Sequence, residues 1–188
     1  MRKMDGFASE MIPIRFIISI AVVSVVMLMV AFGYSNLTVI LAENQLENEC
    51  RILESKLSTM IGSGVARDVD EVNAGEGTKR THVFDLPDSL IYLSFGVDPD
   101  NYGSLGTGLT SDGAVIFYRV NGGSKQVIWL SQDFRFREGN YTNDKWVVNG
   151  KEQGFIITND GKTTLTFELV EKNYERYILI QANDNINS

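Results

Sequence analysis

The chain has 188 residues and a formal net charge of −7, from 17 Lys and Arg against 24 Asp and Glu. Its 44% hydrophobic and 10% aromatic content excludes a disordered chain. One Cys and one His exclude a disulfide framework and the familiar zinc cages. The acidic balance argues against nucleic acid as a partner, because phosphate binding needs a basic surface.

Residues 16–42 carry no charge and are almost wholly apolar. As a helix rising about 1.5 Å per residue, that run spans roughly 40 Å, more than the ~30 Å hydrocarbon core of a bilayer. A helix apolar on every side is not one a small globular domain can wrap. The run is also longer than the apolar core of a secretory signal, and Gly33-Tyr34-Ser35-Asn36 is a poor cleavage site. The segment is therefore expected to stay in the protein as a single membrane span, with the lipid bilayer as its partner. Arg2, Lys3 and Arg15 precede it, whereas Glu43, Glu47 and Glu49 follow it before Arg51. By the positive-inside rule, residues 1–15 are a cytoplasmic stub and everything after residue 42 is external. Residues 1–42 hold three basic and two acidic residues, a net +1, so the remainder carries −7 − 1 = −8.

The helix is predicted to continue past the membrane. Leu46, Cys50, Leu53, Leu57 and Met60 recur at spacings of 4, 3, 4 and 3, an apolar stripe along residues 43–62 with charges on the other faces. The stripe is too short to demand a coiled coil, so the chain's own β domain is expected to cover it. Gly62-Ser63-Gly64 stops the helix. Residues 63–80 read as a Gly- and acid-rich connector.

From residue 81 the apolar period changes to 2. Strands are predicted at 82–86, 89–95, 114–120, 125–131, 134–137, 145–148, 154–158, 163–170 and 175–181, within a β domain over 81–182 that leaves a polar tail at 183–188. Leu165, Phe167 and Leu169 face one way, Phe134 and Phe136 alternate with Arg135 and Arg137, and Tyr177 to Gln181 read as covered on both faces. Asn149-Gly150, Asn121-Gly122-Gly123 and Asn159-Asp160-Gly161 are hairpin signals. Trp129, Trp146, Phe155 and Phe167 are candidates for the core. The fold class expected is α+β: a long N-terminal helix, then an antiparallel β-sandwich or partly open barrel.

Residues with chemistry to offer are few. His82 has no nucleophile motif near it and reads as an ordinary polar residue at a strand start. Cys50 lies on the apolar stripe and reads as a small buried hydrophobe, an intermolecular disulfide being the minor alternative. Gly103-Ser104-Leu105-Gly106-Thr107-Gly108 precedes no helix that would receive a phosphate. Neither an enzyme nor a cofactor is expected. Asp98-Pro99-Asp100-Asn101-Tyr102-Gly103 echoes a calcium loop and makes Asp98 and Asp100 metal candidates. Tyr102 and Leu109 stand where further oxygen ligands are needed, so no metal is expected. Asn36-Leu37-Thr38 and Asn140-Tyr141-Thr142 are glycosylation sequons, and Asn140 is the better placed because Asn36 adjoins the membrane run.

An N-terminal basic stretch, a Gly, a long apolar helix with an amphipathic extension and a β-rich head together resemble type IV pilin-like proteins, the archaeal branch in particular. The residues that carry the likeness are Arg2-Lys3-Met4-Asp5-Gly6-Phe7-Ala8-Ser9-Glu10-Met11-Ile12-Pro13. The resemblance implies a prepilin peptidase that cuts after Gly6 and leaves Phe7 as the new N-terminus. It also implies that Glu10 offsets the new amine of a neighbouring copy in a surface filament. Arg15 of a neighbour could supply that charge instead, although near the helix end Arg15 reads first as an anchor that snorkels to the membrane interface. Asp5 stands where archaeal signals carry a basic residue, and Glu10 is one place short of the bacterial spacing. The competing expectation is an uncleaved single-pass protein whose external β domain binds a partner or a cell-envelope component.

Overall fold

A computed structural model of the chain describes residues 14–71, 73–101, 114–142, 145–148 and 154–183. It begins with one α-helix, α1 (Ile14–Ser63), about 75 Å long at 1.5 Å per residue. No proline interrupts it. It stops where expected: the Gly64 amide donates to Met60 O at 2.8 Å and Ser63 Oγ donates to Thr59 O at 2.8 Å. By internal contacts the chain forms two compact units, one through Thr38 and one from Val39 onward.

In the first unit the described helix residues leave their side chains exposed, and none of its most apolar eighteen-residue window is buried within the chain. This one helix is long and apolar enough to cross a membrane. Two of its hydroxyls bond back to the helix itself. Ser19 Oγ donates to Arg15 O and Ser24 Oγ to Ile20 O, each at 2.8 Å, as hydrocarbon surroundings require.

In the second unit the predicted stripe is the centre of the core. Leu46, Cys50 and Leu53 have no exposed surface, and Ala42, Leu57, Met60 and Ile61 are buried with them. Removing each large side chain from water stabilises by on the order of 2 kcal/mol. The stripe packs on two sheets. The first contains β1 (Arg67–Asp68), β2 (Lys79–Leu86), β6 (Arg135–Thr142), β7 (Lys145–Val148), β9 (Gly161–Lys172) and β10 (Glu175–Asn183). Its path runs β1-β9-β10-β6-β7, with β2 also on β9. The second has the order β5-β4-β3-β8, from β3 (Leu90–Phe95), β4 (Val115–Val120), β5 (Gln126–Trp129) and β8 (Phe155–Ile157). Pairing is antiparallel except β1 with β9 and β6 with β10. The layout is α+β, and the two sheets do not close into a barrel.

Phe95 of β3 joins the sheets, its ring 5.5 to 6.1 Å from those of Phe84, Phe136 and Phe167 on the other sheet. The helix stripe, both inner faces and these rings form one continuous core. The lower half of α1 is flanked by both sheets: Gln45 Nε2 donates to Asp85 O of β2 at 2.7 Å, and Glu47, Arg51 and Glu54 line a groove with β5.

Several details correct the sequence reading. Only Asn121-Gly122-Gly123 joins neighbouring strands, β4 and β5, with Gly122 at φ +80°. Asn149 and Gly150 lie outside the described residues, but β7 pairs with β6 whereas β8 pairs with β3. Asn159-Asp160-Gly161 likewise leads from one sheet to the other. A turn signal specifies local reversal or a positive φ, not the partner of the next strand. Trp129 is 61% exposed at the edge of its sheet rather than in the core, whereas Phe167 is fully buried and Phe155 packs against the core. The connector also holds a strand, β1, which the short run Arg67-Asp68 gave no pattern to reveal.

Candidate functional site

Gly6, Phe7 and Glu10 lie outside the described residues, as do 102–113, which include Tyr102, Leu109 and the Gly103 to Gly108 run. Arg15 is exposed in the first turn of α1. Asn36 is exposed on the same helix, and Asn140 falls within β6, opposite Val147 of β7.

The acidic loop faces an internal cation. Lys125 Nζ lies 2.7 Å from Asp98 Oδ2 and 3.6 Å from Asp100 Oδ2. Asp98 is 3% exposed and its Oδ1 accepts the Asp100 amide at 3.1 Å, a short side-chain turn on a 3₁₀ helix at Pro99–Asn101. Tyr92 Oη donates to Asp100 Oδ2 at 3.0 Å. Burial and this bond to a carboxylate both push the Tyr92 phenol up. The ammonium holds the position in which the sequence suggested a metal, and it lies 5.9 Å from the centre of the Phe117 ring.

His82 is not the ordinary strand-start residue that the sequence suggested. It is 5% exposed and lies edge-on to Phe84 at 4.4 Å between ring centres. Its two nitrogens meet two residues of α1: Nε2 is 3.0 Å from Glu49 Oε2 and Nδ1 is 2.9 Å from Lys56 Nζ. Lys56 only donates, so Nδ1 accepts and the Nε2 proton goes to Glu49. Burial and the Lys56 charge hold the His82 pKa below its usual value, against the opposing pull of Glu49. The buried Cys50 thiol is pushed up to about 12 by burial and by the Glu49 and Glu47 charges. It is inert in the folded chain, in keeping with a small core side chain and not an intermolecular disulfide.

The outer face of the first sheet holds a buried ion pair. Arg67 Nε is 2.9 Å from Glu168 Oε1, with the two side chains 4% and 2% exposed. Arg137, 1% exposed, stacks 5.5 Å over the Tyr177 ring.

Beside this face the β9–β10 turn borders a cleft of about 430 Å³ lined by Asp133, Phe134, Arg135, Tyr174, Glu175 and Arg176. Lys172 pairs with Glu175, so Asn173 and Tyr174 form a two-residue turn, at φ 52° and 65°. Positive φ at both positions is the hairpin geometry that favours Gly at the second, and a side chain held there costs about 1 kcal/mol. Tyr174 bears that cost with its side chain 97% exposed. Glu175 Oε2 accepts from Arg135 Nη1 at 3.0 Å and from Tyr177 Oη at 2.7 Å, while Arg176 Nη1 donates to Ile61 O at 3.3 Å. The sequence reading passed over this turn because Asn173-Tyr174 lacks the Gly that marks such a reversal.

Apart from the membrane-span signal, the described residues form a packed head with a polar cleft at the β9–β10 turn and a polar groove along β5. No protein-family model, curated protein or solved structure matches the chain.

Proposed function

We propose that the chain is a subunit of a type IV pilus-like surface filament of the archaeal kind, anchored in the membrane by α1 before assembly. Its N-terminus then lies in the cytoplasm and its β head outside the cell. A prepilin peptidase cuts after Gly6, and Phe7 begins the mature subunit. The observation that carries this reading is the double use of α1. Through Thr38 its described side chains are exposed and chiefly apolar, while from Ala42 to Ile61 the same helix is the spine of the head's core. An apolar surface of that extent needs lipid before assembly, and neighbouring helices can replace the lipid afterwards. Glu10 in such a bundle requires a partner charge, either the new amine at Phe7 or Arg15 of another copy.

The test is the intact mass and N-terminal peptide of the protein from its native membrane. Cleavage after Gly6 removes ~0.7 kDa and leaves Phe7 first, distinct from a signal-peptidase cut beyond the apolar run. A chain that retains residues 2–6 overturns the processed-subunit reading and leaves a single-pass membrane protein with an external binding domain.

A further inference from the structure

We propose that the cleft beside Tyr174 is a saccharide-binding site, with Tyr174 as the stacking platform. This rests on the head alone and holds whether or not the chain is processed into a filament.

Tyr174 occupies a backbone position that suits glycine, and its side chain is 97% exposed. Nothing in the fold explains an aromatic there: the ring fills no core position and the turn is made worse by it. The surroundings say what would use it. The cleft has two carboxylates, Asp133 and Glu175, and two guanidiniums, Arg135 and Arg176, so it is neutral overall and rich in paired donors and acceptors. Bonds from Arg135 and Tyr177 hold the Glu175 carboxylate in place, and the bond to Ile61 O holds Arg176. An exposed ring face beside a fixed polar rim matches a pyranose, which has an apolar C–H face and an edge of hydroxyls. At about 430 Å³ the cleft is within the range of small-ligand sites.

Its place in the head makes the site reachable. The chain enters this unit at Val39, which packs beside Gly122 of the β4–β5 turn. The cleft adjoins Ile61, 22 residues further along α1, about 33 Å away at 1.5 Å per residue. Within this unit the cleft is thus at the end remote from Val39.

The full-length chain in lipid nanodiscs is to be probed by saturation-transfer NMR with the methyl glycosides of glucose, galactose, mannose and N-acetylglucosamine. We expect saturation of the ring C–H protons of at least one glycoside, about tenfold weaker binding for Tyr174→Ala, and retention in Tyr174→Trp. Glu175→Gln weakens binding as well, by removing an acceptor charge from the rim. The melting temperature of Tyr174→Ala stays at or above that of the parent, which separates lost binding from lost folding. Absence of saturation on all four glycosides, or equal saturation with Tyr174→Ala, overturns the proposal. A change in self-association with Tyr174→Ala and no saccharide signal also overturns it, and assigns the ring to a contact with another copy.

Discussion

Lys56 Nζ on α1 lies 2.9 Å from His82 Nδ1 on β2, so an ammonium of the helix is bonded to an imidazole of the sheet only while that imidazole is neutral. Protonation of His82 would set two positive charges against each other in a site 5% exposed, with Glu49 the one compensating charge at 3.0 Å. The folded-state pKa is lowered, so across the window below the unfolded value of about 6.5 the unfolded chain binds more protons. The stability that neutral His82 contributes is complete above that value and is lost as pH falls through the window, by at most about 1.4 kcal/mol per pH unit. Melting between pH 7.5 and 5 will show this loss, and His82→Gln will flatten it. Lys56→Met, which removes the opposing charge, will flatten it in part. An unchanged pH slope in His82→Gln would refute the assignment.

Cys50 has no exposed surface and its thiol is pushed up to about 12. Maleimide at neutral pH will therefore label it only in denaturant. Cys50→Ala, which removes one buried sulfur, costs about 1–2 kcal/mol, while Cys50→Ser buries a hydroxyl and costs about 1–3 kcal/mol. Rapid labelling of the native chain would show that the stripe of α1 separates from the sheets.

How much of this was legible beforehand follows from the length scale of each signal. The stripe Leu46, Cys50, Leu53, Leu57 and Met60 is periodic over 15 residues, and all five are buried. Tyr177 to Gln181 read as covered on both faces; Tyr177 to Ile180 are buried, and Gln181 is half-buried. Pairing between strands distant in sequence left no such trace. β6 lies parallel to β10, and Arg67 reaches across 101 positions to Glu168. A charged residue reads as a solvated one until its partner is known, so nothing in the sequence marks Arg67, Arg137 and Glu168 as nearly inaccessible. The cleft was illegible for the same reason, since its lining comes from Asp133 to Arg135, where β6 begins, and from Tyr174 to Arg176, where β10 begins.

The Arg67–Glu168 pair makes a further prediction. Glu168 Oε1 also accepts the Gly77 amide at 3.3 Å, so the carboxylate ties the connector to β9 at two points. Glu168→Gln leaves the guanidinium buried without its counter-charge and costs about 3–5 kcal/mol in a denaturant titration. The double variant Arg67→Met, Glu168→Leu costs less than the sum of the single changes, because no buried charge is left over. Additive costs would show that the two residues do not act as a pair.

Lys125 decides whether the Asp98 loop needs an external cation. With its ammonium 2.7 Å from a carboxylate that is 3% exposed, the site carries its own positive charge. The bond to Asp98 also raises the Lys125 pKa, which keeps it charged at neutral pH. Melting of the parent chain will therefore be the same in millimolar calcium and in EDTA. Lys125→Met removes the charge but keeps most of the stem over Phe117, and it costs about 1–3 kcal/mol by leaving Asp98 without its ammonium. Calcium is expected to restore part of that loss, because two carboxylates then share a site that has lost its ammonium. A parent chain stabilised by calcium, at a concentration that leaves Lys125→Met unaffected, would show instead that the metal binds elsewhere and that Lys125 is not the cation on which this loop is built.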